Sequence, residues 1–247
     1  MNSENILTEH GKKFGLLDSS DFYQVYQQFN LVFLDLLEKR IETDEFNISD
    51  YAGGNGVLAQ DLIKILIKKG FTKFKIENID NDESKFRKLP FLKNIKEDVL
   101  SYTSKFKYDY SICRFLLHYF DEDTQLELLT SINKNLKKNG LFLLVNFVLD
   151  REEEYKIKRR ILDLIEHTKK ISKRTILTSK QIIDKCRKAG FRLVDIVKMD
   201  YTLSIDDFYR NRFNLSDDEV SDIIEEIGMG SHSESQVAFL FKKTEEI

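Results

Sequence analysis

Four stretches of the chain pair residue types that handle ligands with spacings that a strand–turn–helix unit can use. The first, Asp50-Tyr51-Ala52-Gly53-Gly54-Asn55-Gly56, runs straight into the apolar helical start Val57-Leu58-Ala59. Glycines let a backbone approach a ligand closely, and a helix N-terminus beside them offers N–H groups and a partial positive charge. A turn packed for purely structural reasons uses the same residues, so its meaning depends on the segments around it. The second stretch, Glu77-Asn78-Ile79-Asp80-Asn81-Asp82, puts the carboxylate of Asp80 24 residues beyond Gly56, close to where a doubly wound fold places the acid that binds a ribose. The third, Lys96-Glu97-Asp98-Val99, sets another acid before a short loop. The fourth, Arg114-Phe115-Leu116-Leu117-His118-Tyr119-Phe120, brings a histidine to the exit of an apolar run, where it is placed to act as a general base. A histidine there more often serves a structural role, and His10, His167 and His232 are weaker candidates.

The elements that must position these groups follow from hydrophobic periodicity. Apolar runs at 46–51, 74–79, 108–117 and 141–148 predict buried strands, because both faces are apolar rather than alternating. Helical periods at 57–69, 82–88 and 121–138 lie between them. Strand and helix in alternation imply a parallel sheet covered by helices on both faces. Lysine-rich turns followed by glycine, at Lys69-Gly70, Asn139-Gly140 and Ala189-Gly190, predict helix ends. Asp121-Glu122-Asp123 is expected to be the acidic first turn of a helix rather than a metal site.

Taken in order, these motifs resemble the class I S-adenosylmethionine-dependent methyltransferases over roughly residues 46–148. Asp50 to Gly56 is similar to the family's acid-x-Gly-x-Gly-x-Gly loop, Asp80 to its ribose-binding acid, and Asp98-Val99 to its adenine-binding acid and apolar neighbour. Arg114 to Phe120 is similar to the segment after strand four, and Leu136-Lys137-Lys138-Asn139-Gly140-Leu141 to the turn before strand five. Ala52 departs from the usual first glycine, and Lys138-Asn139 from the usual Pro-Gly. The resemblance implies an α/β, doubly wound, mainly parallel seven-stranded sheet, with residues 46–247 as the methyltransferase domain and 1–45 as an N-terminal helical lid. It implies S-adenosylmethionine as cofactor, with S-adenosylhomocysteine as product. The implied cofactor residues are Asp50, Ala52, Gly53, Gly54, Gly56, Asp80, Asn81, Asp98, Val99, Arg114 and Phe115. A nicotinamide-binding fold is the rival reading of a glycine turn plus an acid, but Asp50 before the turn and Asp98 after strand three fit it less well.

The acceptor is harder to read. The only proline is Pro90, so the Pro-Pro-aromatic motif of the enzymes that methylate nucleic-acid bases is absent. Phe22, Tyr26, Phe29 and Phe33 form one helical stripe that serves either as core or as a cover over the donor site. Strand six, at 191–199, and strand seven, at 236–241, bracket an insertion at 200–234 holding Tyr201, Phe208, Arg210 and Arg212, and insertions on a scaffold rim carry specificity. Tyr26, His118, Tyr119, Tyr201, Phe208, Arg210 and Arg212 are therefore the expected substrate contacts, with Arg210 or Arg212 pairing an acceptor carboxylate or phosphate. The helical stretch 151–173, dense in both charge signs, reads as a solvated face, while the resemblance implies that this segment after strand five borders the substrate. The expected reaction is methylation of an oxygen or nitrogen of a small molecule. Methylation of a protein or peptide, and a catalytically inactive cofactor-binding subunit, are the alternatives.

Composition closes off other classes. With 39 basic against 42 acidic residues the net charge is −3, which supplies no field for long nucleic acid. Cys113 and Cys186 lie far apart in sequence with no CxxC pair or histidine spacing for zinc, so free thiols and no metal are expected. No apolar run approaches the roughly 20 residues needed to span a bilayer, and the N-terminus has no apolar signal segment behind its charged start. A cytoplasmic protein is expected, with a homodimer through the insertion's aromatic residues as the competing use of that region.

Overall fold

The computed structural model describes residues 21–244, the side chains of residues 21–28 excepted. Seven strands form one sheet in the order β3-β2-β1-β4-β5-β7-β6. In chain order they are β1 (Glu45–Tyr51), β2 (Lys73–Asp80), β3 (Leu92–Lys96), β4 (Tyr108–Arg114), β5 (Leu136–Val148), β6 (Phe191–Ser204) and β7 (Ser231–Lys243). The first five are parallel, while β7 runs antiparallel to both β5 and β6, so the sheet is mixed. β1 pairs with β2 on one side and β4 on the other. The chain therefore departs in opposite directions from this pair, which opens a crevice over the carboxyl ends of β1 and β4, where doubly wound sheets bind ligands.

Helices cover both faces. On one, Phe33, Leu34 and Leu37 of α1 (Asp21–Glu38) and Leu58, Leu62 and Leu66 of α2 (Val57–Lys68) pack on Ile48, Ile76, Ile112 and Leu240. On the other, Leu128, Leu129 and Ile132 of α3 (Glu122–Asn135) and Ile182 and Cys186 of α5 (Ser179–Lys188) pack on Tyr51, Cys113, Phe142 and Phe239. A third cluster joins α4 (Glu152–Lys169) to a π-helical turn (Ile205–Tyr209), α6 (Arg210–Phe213) and α7 (Asp217–Ile227). Phe29 and Phe33 of the aromatic stripe belong to the core. The side chains of Phe22 and Tyr26, and His10, lie outside the described residues.

Several expected boundaries shift for identifiable reasons. The helix predicted at 82–88 is only a single 3₁₀ turn, Glu83–Lys85, because the Asp82 side chain accepts a hydrogen bond from Ser84 N and fixes a local turn instead. The run expected to stay extended to residue 117 leaves the sheet after Arg114, where Phe115 adopts φ +53°. Helix α3 stops at Asn135, not on Gly140. β5 begins at Leu136, with a ladder irregularity opposite Tyr108 to Tyr110, and Asn139 rather than the glycine takes the left-handed conformation. The acidic triplet is the expected helix start: Asp121 caps Thr124 N, and Glu122 and Asp123 fill the first turn. Strands β6 and β7 overrun their predicted ends, pairing Asp200 with Ser235 and continuing to Ser204 with Ser231. The insertion is thus partly a continuation of the sheet. Cys113 and Cys186 are buried free thiols. Among the described residues, no group of histidine, cysteine and acidic side chains is arranged to hold a metal, and no helix is long and apolar enough to cross a membrane.

Candidate functional site

The glycine turn leaves β1 at the centre of the sheet and enters α2 with Gly56, at φ +72°, as the residue before the helix. A Cβ on Gly53 would collide with Asn78 Oδ1 and Asp50 Oδ2. Glycine is therefore required there by the protein's own packing. Gly54, at φ +56°, faces open space, with only Lys85 Cδ at 4.0 Å from where a Cβ would stand. Its backbone N–H donates to Asp80 Oδ2 at 2.9 Å, and Asn78 Nδ2 donates to its carbonyl at 3.0 Å. Ala52 also takes a positive φ, +56°, and donates its N–H to Ile79 O. The turn is thus stitched to the end of β2 by three hydrogen bonds, which hold the two expected ligand-binding segments side by side.

Buried acceptor oxygens concentrate at this junction. Asp50 Oδ2 and Asn78 Oδ1 are buried with no hydrogen-bond donor. Burial pushes the Asp50 carboxyl up to about 7, against the opposing pull of the Arg114 guanidinium and with Asp80 adding to the rise. Asp80, 7% exposed, accepts from Gly54 N and Asp82 N, and each carboxylate oxygen keeps a second lone pair for a further donor. Asn81 lies beside it with its Nδ2 buried and lacking an acceptor. Glu97 N donates to Asp80 O at 3.2 Å, which brings the β3 exit, and Asp98 with it, to the same edge. Asp98 Oδ1 accepts from Leu100 N, and Val99 turns into the core.

Across the crevice, Arg114 donates to Asn30 Oδ1 of α1 at 2.8 Å, and Asn30 Nδ2 donates to Asp61 of α2 at 3.1 Å. Phe115 donates its N–H to Val145 O. His118, buried, packs its ring on those of Tyr119 and Phe147 at 4.1 and 4.9 Å. The Tyr119 hydroxyl accepts from Arg212 Nη2 at 2.9 Å, and the Arg174 guanidinium stands 4.3 Å from the Tyr119 ring centre. Desolvation raises the Tyr119 phenol, but the two guanidinium groups outweigh it and hold it below the ordinary tyrosine value. Arg210, half-buried, pairs with Asp206 and Asp217.

Sequence reasoning missed a second polar cluster at the root of the insertion. Lys158 of α4 donates to Glu234 Oε2 and to Tyr209 Oη, each at 2.7 Å, with both charged side chains almost wholly buried. Tyr201 donates to the other Glu234 oxygen, and Tyr209 Oη meets His232 Nε2 at 2.5 Å. Phe208 and Phe147 present ring faces to the Lys158 ammonium. Tyr201 also packs on Phe29 of α1 at 5.8 Å. Arg174 and Lys158 gave no signal because their charge-dense surroundings in sequence look like a solvated face.

No protein-family model matches the chain, and no curated protein matches it. Solved structures do. A Bacillus halodurans protein assigned as a methyltransferase superposes with a TM-score of 0.69 at 15% identity, over 86% of this chain and 98% of its own. This is the class I methyltransferase fold. The N-methyltransferase NodS of Bradyrhizobium japonicum, solved with S-adenosylhomocysteine, shares the fold with a TM-score of 0.56 at 12% identity, over 93% of this chain and 91% of its own. The [4+2]-cyclase SpnF shares it too, with a TM-score of 0.58 at 14% identity, over 85% of this chain and 80% of its own. At these identities the likeness is one of architecture.

Proposed function

We propose that the chain is an S-adenosylmethionine-dependent methyltransferase acting on an oxygen or nitrogen of a small molecule. The observation that carries this reading is the junction of the glycine turn with the β2 exit. There an open left-handed glycine, a ribose-type carboxylate and buried acceptor oxygens without donors meet at the switch point of the sheet. Those residues fit the cofactor's chemistry. The unpaired Asp50 and Asn78 oxygens suit its ammonium group, Asp80 its two ribose hydroxyls, and Asp98 its adenine amino group. Gly54 gives its backbone the close approach.

When bound, the cofactor supplies a sulfonium-activated methyl group. The protein's share of the work is to align the acceptor in line with that methyl, exclude water and leave a base within reach. His118 and Tyr119 stand at the β4 exit, beside the same crevice. The rings of Phe29 and Tyr201, 5.8 Å apart, would supply an apolar wall to a small acceptor, with the insertion root behind them. Titration calorimetry with S-adenosylhomocysteine tests the cofactor site, and tritiated methyl donor with a panel of small hydroxyl and amino compounds tests transfer. Loss of all uptake of the product by the folded chain would sink the reading.

A second reading is favoured by one specific neighbour: a structure named as a [4+2]-cyclase shares this fold, so the architecture also carries chemistry other than methyl transfer. Product binding together with no transfer to any acceptor, protein or small molecule, would select it.

A further inference from the structure

Tyr119 is the point where three separate parts of the chain meet. It sits in the 3₁₀ turn Leu117–Tyr119 after β4. Arg212 reaches it from α6 of the insertion, and Arg174 from the loop between α4 and α5. Both arginines are buried, at 5% exposure for Arg174 and 7% for Arg212, although arginine is among the residues least often buried. The arrangement is built rather than incidental. Arg174 N donates to Glu166 Oε1 at 2.6 Å, and its carbonyl accepts from Arg159 Nη1 at 2.8 Å. The next residue, Thr175, bonds through its N–H to His118 O and through its hydroxyl to Phe120 O, at 2.9 and 2.8 Å. The loop is thereby pinned on both sides of Tyr119.

One desolvated guanidinium on the Tyr119 oxygen and a second over its ring favour negative charge at this point. The Tyr119 phenol leans the same way: burial raises it, but the two guanidinium groups hold it below the ordinary tyrosine value. A phenolate oxygen is a stand-in for any oxyanion, and guanidinium forks are matched in shape to carboxylates and phosphates. We infer that Arg174 and Arg212, flanking Tyr119, form the subsite for an oxyanion, a carboxylate or a phosphate, carried by the methyl acceptor. The inference rests on the methyl-transfer reading only in assigning the anion to an acceptor; the anion site itself is a property of this chain's own side chains.

The test uses the full chain with saturating S-adenosylhomocysteine and three probes in calorimetric titration: inorganic phosphate, benzoate, and benzyl alcohol as a neutral control. Saturable uptake of phosphate or benzoate, but not of benzyl alcohol, is expected, and the stronger of the two anions identifies a phosphate ester or a carboxylic acid. Arg174→Gln and Arg212→Gln should each weaken it roughly tenfold or more, the scale of one charge-assisted hydrogen bond, whereas Arg210→Gln should leave it unchanged. Bound anion should also drive the Tyr119 phenolate absorption, read as wild type minus Tyr119→Phe, to higher pH. If a glutamine variant fails to fold, the lysine variant, which keeps the charge, replaces it. In addition, phosphate should raise the wild-type melting temperature where chloride at equal ionic strength does not. An arginine pair that merely clamps the insertion to the core takes up neither anion, and that result, or an equal loss in Arg210→Gln, overturns the proposal. Failure of the cofactor reading shows separately, as absent product binding in the first titration, and the anion titrations then run without it.

Discussion

Asp50 and Gly53 depend on each other: the glycine has no side chain because the carboxylate and Asn78 fill that space. Gly53→Ala should therefore lose more stability than Gly54→Ala, whose cost is confined to a left-handed backbone, about 1 kcal/mol. Denaturant unfolding of the two variants gives the comparison. Ala52, already left-handed, should gain about 1 kcal/mol on replacement by glycine. Asp80→Ala should weaken S-adenosylhomocysteine binding by about 1.5 to 3 kcal/mol, the range for hydrogen bonds to a charged group, as measured by calorimetry on a variant shown to be folded. Asp50 adds a pH signature. Its carboxyl titrates near 7, and a ligand ammonium beside it favours the ionised form. Binding should tighten as pH rises to about 7, release a proton below that point and level off above it. Asp50→Asn should abolish the dependence, and buffers of different ionisation enthalpy reveal the proton.

At the level of elements, the insertion is held by the ion pair between α4 and β7. Removing one partner of a buried pair leaves a desolvated charge, so Lys158→Ala should destabilise the chain by about 3 to 5 kcal/mol, while replacing both Lys158 and Glu234 with apolar residues should recover most of the loss. Urea unfolding of the single and double variants measures this. The central strands were legible in sequence because β5 is apolar on both faces, while β1 and β2 alternate Phe46 and Ile48, and Phe74 and Ile76, with polar residues. The overrun of β6 and β7 was not. There one face is exposed, and what extends the strands is hairpin pairing such as Thr202 with Ser233, residues with no strong pattern of their own. The contact between the glycine turn and Asp80 was legible because the two lie at the ends of successive parallel strands, at the spacing of one strand–helix–strand unit. The Lys158–Glu234 and Arg174–Tyr119 contacts were illegible because each joins residues far apart in the chain, and a buried lysine in a charge-dense helix has no local mark that separates it from a solvated one.

For the whole molecule, two buried groups impose opposite pH slopes on stability. Asp50 rises from an ordinary value of 3.8 to about 7. The folded chain therefore holds a proton the unfolded chain has lost, and stability falls as pH rises between those values. His232 falls from 6.5 to about 4, through burial and the Lys158 charge. The unfolded chain binds that proton more readily, so this stability is lost as pH drops through the same range. The slopes oppose each other between about 4 and 6.5. Asp50→Asn should make stability climb with pH across that window, and His232→Asn should make it decline, as followed by chemical denaturation at several pH values. The continuation of β6 and β7 into the insertion has a different kind of consequence. An insertion carried on a loop can be exchanged between proteins by recombination at two flexible joints, but this one continues the hydrogen-bonded β6–β7 ladder of the sheet. Diversification of this segment must then proceed by point replacement, so homologues should keep the length of the hairpin and vary in the side chains it displays.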